Sequence, residues 1–142
     1  MAAIVALFAG LSTGAAGAAE LKVLSTEAMR PMLEELAPAF EAASKNKLVI
    51  AYASDADVAK TVASDESIDI AIMTKAAMDK LVKSARILTA TKVLATGASP
   101  DLVYVVGSSF FTEQPLAATA LVDFLGGPEA KKVYAAKGLK TS

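Results

Sequence analysis

An apolar run that stops at a polar turn and gives way to an amphipathic stretch occurs three times between residues 21 and 86. That alternation constrains the fold more than any other feature of the chain. The first unit is LKVLSTEAMRPMLEELAPAF, residues 21–40. Leu21, Val23 and Leu24 lie in a run too short and too abruptly ended for a helix, so it reads as a buried strand. Ser25 and Thr26 offer side-chain oxygens for capping, and Glu27 brings a carboxylate to a positive helix end. Pro31 places the start of regular helix near Met29 or Arg30, because proline is harmless only where its missing N–H would be unpaired anyway. Met29, Leu33, Leu36 and Phe40 then share one helical face.

Residues 48–52, LVIAY, form a second apolar run and read as a buried strand. Ser54, Asp55 and Asp57 make a capping-rich turn, and Val58 and Val62 point a short helix inward. Residues 68–73, IDIAIM, are a third buried strand. Thr74 follows, then a helix over residues 75–86 with Ala77, Leu81 and Val82 inside. The order β-α-β-α-β-α with short connections calls for a parallel sheet with right-handed crossovers.

The second half starts differently. Residues 87–94 mix β-branched residues without a clean period, and residues 97–101, GASPD, are a turn by composition. Residues 102–106, LVYVV, form a fourth strand closed by Gly107, Ser108 and Ser109. Pro115 and the Gly126-Gly127 pair bracket a helix expected to turn Leu116, Ala120, Leu121 and Phe124 inward. Pro128 and Glu129 open a last helix that Gly138 closes. The expected fold is α/β: a single three-layer domain, with a mostly parallel four- or five-stranded sheet and helices on both faces.

Residues 1–19 carry no charged side chain. Their apolar run over residues 2–11 has signal-peptide length and is too short to cross a bilayer. The small residues Ala16-Gly17-Ala18 or Gly17-Ala18-Ala19 suit a signal peptidase. Residues 1–19 are therefore expected to be an export signal and residues 20–142 the mature domain. That domain keeps all 14 basic and 15 acidic residues, with the signs interspersed. Such a balance gives no nucleic-acid or membrane-surface footprint. Cysteine and histidine are both absent. Their absence excludes disulfides, the common zinc ligand sets, Cys or His nucleophile systems and the Ser-His-Asp triad. Asp55, Asp57, Asp65 and Glu66 lack the spacing and the bend glycine of a calcium loop and read as solvated caps. No metal, cofactor or catalytic residue is expected.

The runs KVLSTEAMRPMLEELAPAFE, LVIAYASDADVAKTVAS and IDIAIMT, with AATALVDFLGGPEAKKVYAAKGL near the end, together resemble periplasmic solute-binding proteins. The likeness is to the molybdate-binding, type II family. It implies an exported, periplasmic substrate-binding protein of an ABC importer, non-enzymatic, with a small oxyanion as ligand and an inner-membrane permease as partner. Family members have two lobes. Here residues 20–97 and 98–142 correspond to the outgoing and returning segments of lobe one, and the second lobe has no counterpart. The resemblance also implies a ligand site at Ser25, Thr26, Ser54 and Asp55. It puts Ala28 and Asp55 where molybdate binders carry serines. Ala28 offers no hydroxyl, and Asp55 brings a negative charge to a dianion's place, costing about 1 kcal/mol or more. Ordinary helix capping is the competing reading of all four residues. The alternative function is a non-transport interaction or homodimerisation module, for which Phe110 and Phe111 would be a surface left open by the absent lobe. An enzyme using Asp55 as base would need a second carboxylate close by.

Overall fold

A computed structural model describes residues 19–141 of the 142-residue chain. The proposed export signal therefore falls outside the described residues, apart from Ala19. Each apolar run becomes a strand and each amphipathic stretch a helix. β1 is Glu20–Thr26, and a single 3-10 turn over Glu27–Met29 leads into α1, Arg30–Ser44. Regular helix thus begins where Pro31 requires. β2 is Lys47–Ala53, α2 is Asp55–Ser64, β3 is Ile70–Thr74 and α3 is Lys75–Lys83. β4, Lys92–Thr96, and β5, Val103–Ser108, follow as a pair. The chain then forms α4, Pro115–Leu125, and α5, Pro128–Ala136.

The five strands lie in the order β2-β1-β3-β5-β4. β1 pairs in parallel with β2 and β3, whereas β5 is antiparallel to both β3 and β4. Four strands therefore run one way and β5 alone runs back. The sheet is mixed, because a short turn joins β4 to β5 and a tight turn can only reverse direction. β4 and β5, on either side of that turn, are neighbours in the sheet.

Successive residues of a strand point to opposite faces, and here both faces are covered. Ile70, Ala71, Ile72 and Met73 of β3 are all 0% exposed. Ile70 and Ile72, with Leu21, Val23 and Val106, pack against Met29, Leu33, Leu36 and Phe40 of the first helical unit and against Leu121, Leu125 and Tyr134. Ala71 and Met73, with Leu24 and Val105, meet Val58, Val62, Met78 and Leu81 on the other side. The Tyr134 hydroxyl donates to the Leu125 carbonyl at 2.7 Å, and burial pushes its pKa well up. At the strand amino ends, Asp69 accepts from Lys22 N–H at 2.9 Å and from the Thr112 hydroxyl at 2.7 Å. This buried carboxylate ties β1, β3 and the segment after β5 together.

Four expectations need correction. β2 is an edge strand rather than a buried one, with Val49 and Ala51 exposed. Its hydrophobicity reflects half-burial on one side only. β5 runs through Gly107 instead of ending there: a Cβ on Gly107 would stand 2.6 Å from Ile87 Cγ2, so the missing side chain admits Ile87 against the sheet. In α3 the most buried residues are Met78 and Leu81, while Ala77 and Val82 are only partly buried. α4 is turned from the expected face: Ala117, Ala118, Leu121, Val122 and Leu125 are buried, whereas Ala120 is exposed and Phe124 only half-buried. Leu116 is 87% exposed. The helix is apolar on nearly every side, so its periodicity could not fix which face turns inward.

Ile72→Ala, which empties the central strand, should cost about 2–5 kcal/mol. Leu116→Ala should stay within about 0.5 kcal/mol. Thermal melts of the two variants check this, and a comparable loss for Leu116→Ala would mean that α4 packs on the face the periodicity suggested.

Candidate functional site

The carboxyl ends of β1, β2 and β3 meet at one rim of the sheet, where each strand turns into the helix that follows. Thr26, Ala53 and Thr74 are the last strand residues there, and Thr74 pairs with Tyr104 at the start of β5. The turn over residues 97–102 that links β4 to β5 stands at the same end. Helix starts carry unpaired N–H groups and a partial positive charge, so this rim is the place in the fold suited to anions.

The four expected site residues all lie at this rim, in different states. Ser25 is fully buried and its hydroxyl donates to the Thr26 carbonyl at 3.0 Å. Thr26 is buried and makes no side-chain cap bond. Capping is therefore not what either residue does. Ser54 is exposed and is a true cap, its Oγ accepting from Asp57 N–H at 3.2 Å. Asp55 is half-buried and crosses to the neighbouring turn. Its Oδ1 accepts from Thr74 N–H at 2.8 Å, and its Oδ2 from the Thr74 hydroxyl at 2.7 Å. Ala28 is exposed and contributes no polar side-chain atom.

Thr74 is the functional-rim residue that sequence reasoning passed over. It ends β3 and stands as the cap residue of α3, yet its own side chain makes no cap bond to that helix. The two partners are 19 residues apart. The available signal was weak: a threonine where an apolar run meets a helix.

Arg30 and Lys75 stand at helix starts on the rim and are each paired, whereas Lys60 and Lys80 line the cleft that Asp55 and Thr74 share. Arg30 meets both Glu27 oxygens, at 2.8 and 3.2 Å, and lies 3.8 Å from Glu34. Its guanidinium also stacks 4.2 Å over the Tyr52 ring. The hydrogen bond from Arg30 lowers the pKa of Glu27, and the same bond raises that of Arg30. Burial, more than the neighbouring Glu34, raises that of Tyr52. Lys75 is held by Asp79 at 2.8 Å. Among the described residues no group of three or more acidic side chains could hold a metal ion, and no second carboxylate bonds Asp55.

Phe110 and Phe111 stand at the opposite end. Ser108, just before them, pairs with Ile70 at the start of β3. They pack edge to face at 5.6 Å, with Arg86 5.1 Å from the Phe111 ring. They lie at the end of the sheet away from the turn over residues 97–102.

Comparison with known proteins agrees with this architecture. The substrate binding domain of a protein described as a molybdenum ABC transporter, from Clostridium difficile, superposes with a TM-score of 0.80 at 9% identity. The match covers 88% of this chain and 100% of that one. The periplasmic molybdate-binding protein of Azotobacter vinelandii gives 0.74 at 11% identity, over 86% and 99% of the two chains. The tungstate ABC transporter structure from Geobacter sulfurreducens gives 0.68 at 12%, over 82% and 98%. At such identities the likeness establishes the fold, that of periplasmic binding proteins. No protein of curated function matches significantly in sequence. The model of the bacterial extracellular solute-binding protein family matches residues 21–100, more than half of the chain. The chain belongs to that family.

Replacing Ser54 by alanine should remove the α2 cap and cost about 1 kcal/mol. Urea denaturation reads this as a lower midpoint with an unchanged slope; an unchanged midpoint would mean that the hydroxyl contributes nothing to the helix.

Proposed function

We propose that this chain is the exported substrate-binding component of an ABC importer for a small tetrahedral oxyanion. The observation that carries the reading is the match of residues 21–100 to the solute-binding family. Those same residues supply all three strand-to-helix turns of the rim. That structurally similar proteins are named for molybdate and tungstate supports an oxyanion as the ligand class. Residues 1–19 act as the export signal and the periplasm is the working compartment. The binding step is non-covalent: helix-start N–H groups and the hydroxyls of Thr26 and Ser54 hold the anion, with Ser25 shaping the turn beneath. A permease in the inner membrane receives the ligand, and no bond is made or broken.

The test is thermal unfolding of the purified protein with molybdate, tungstate, sulfate and phosphate at millimolar concentration. An oxyanion present at about a hundred times its Kd adds about 2.7 kcal/mol, which raises the melting midpoint by several degrees. A selective rise is the expected result. A cooperative melt unmoved by all four would overturn native oxyanion capture.

A further inference from the structure

We infer that Asp55 is a tethered counter-ligand, whose carboxylate occupies the anion position of the rim until an external oxyanion displaces it. The inference rests on the oxyanion reading above and concerns the regulation of that same site. A capping carboxylate ordinarily bonds the first N–H groups of its own helix. Asp55 instead turns away from α2, where Ser54 already serves, and spends both oxygens on Thr74. The donors it takes are one helix-start N–H and one hydroxyl, which are the groups a tetrahedral oxyanion would use. Thr74, in turn, supplies no side-chain cap to α3. The carboxylate thus fills the place of a ligand, from inside the chain.

The surrounding charges make the competition effective. Arg30 is engaged by Glu27 and Glu34, and Lys75 by Asp79, so the two cations at the helix starts already face carboxylates, while Lys60 and Lys80 line the cleft beside Asp55 and Thr74 and draw an anion there. A dianion arriving beside Asp55 meets a like charge in a half-buried position, where repulsion is stronger than in bulk water. It must either bind with Asp55 swung out or bind weakly. A protein whose competent state is a fraction of the population loses apparent affinity by that fraction. If the carboxylate leaves Thr74 in about a tenth of molecules, binding weakens about tenfold. Asp55 therefore sets the affinity of the site and favours oxyanions able to displace it.

Titration calorimetry with molybdate and with sulfate tests this on the wild-type protein, Asp55→Ser, Asp55→Asn and Asp57→Asn. Asp57 lies two positions along the same helix and is exposed. Its replacement removes the same charge without touching Thr74. Asp55→Asn keeps an acceptor for the Thr74 N–H and so guards against loss of folding in the serine variant. Asp55→Ser should bind one oxyanion at least about tenfold tighter than wild type, and Asp55→Asn, which keeps a weaker neutral tether, tighter by a smaller factor, with Asp57→Asn within about twofold. Wild-type binding that the Asp55 variants match or lose would overturn the counter-ligand and leave the oxyanion function standing. An equal gain for Asp57→Asn would also overturn it, as a general charge effect. Binding by the Asp55 variants alone would uphold the counter-ligand and end native oxyanion capture. Binding by none would overturn both.

Discussion

Everything in this structure depends on burying both faces of β3. Ile70, Ala71, Ile72 and Met73 alternate between two apolar clusters, and each cluster needs its own helical layer. A strand apolar on both sides cannot lie on a surface. The chain must supply helices above and below it, and parallel strands joined through helices achieve this with short connections. The same requirement gathers the strand-to-helix turns of β1, β2 and β3 at one end of the sheet. The position of the candidate site is a by-product of how the core is covered.

What stands at that end is chemically restrained. In an open α/β sheet the helix starts beyond the strand carboxyl ends present N–H groups that need acceptors. Here Ser54 satisfies one of its own helix, and Asp55 satisfies another belonging to the neighbouring helix. Arg30 and Lys75 are likewise matched to carboxylates three and four residues away. The rim gathers helix-start N–H groups, and some of its hydrogen-bonding capacity is turned inward. A family fold and a receptive site are therefore separate properties, and residue chemistry at the turns decides the second.

The edges of the sheet are managed too. The outer N–H of Leu48 in β2 is taken by Glu41 at 2.8 Å, so part of that open strand is closed by a side chain from α1. At the other edge, Thr96 of β4 exchanges two backbone hydrogen bonds with Lys140 from the end of the chain. Free strand edges invite pairing with other chains, and each of these contacts shortens the free length. The exposed Phe110 and Phe111 sit far from the rim, where a sequence search for sticky residues had no means of placing them.

The sequence by itself determined the α/β class, the order of elements and most of the core, because those follow from local periodicity and turn chemistry. Pro31 and the spacing from Met29 to Phe40 were enough to place the first helix and its inner face. Composition alone removed cysteine and histidine chemistry. Tertiary structure decided which strand lies at an edge, which face of the uniformly apolar α4 turns inward, and at which end Phe110 and Phe111 emerge. Above all, it decided what Asp55 does. Its partner Thr74 is 19 residues away and becomes a neighbour only because α2 and α3 cover the same face of the sheet. Periodicity reports which way a residue points relative to its own element, whereas a bond between two turns depends on how the elements are arranged. Only the folded sheet contains that arrangement.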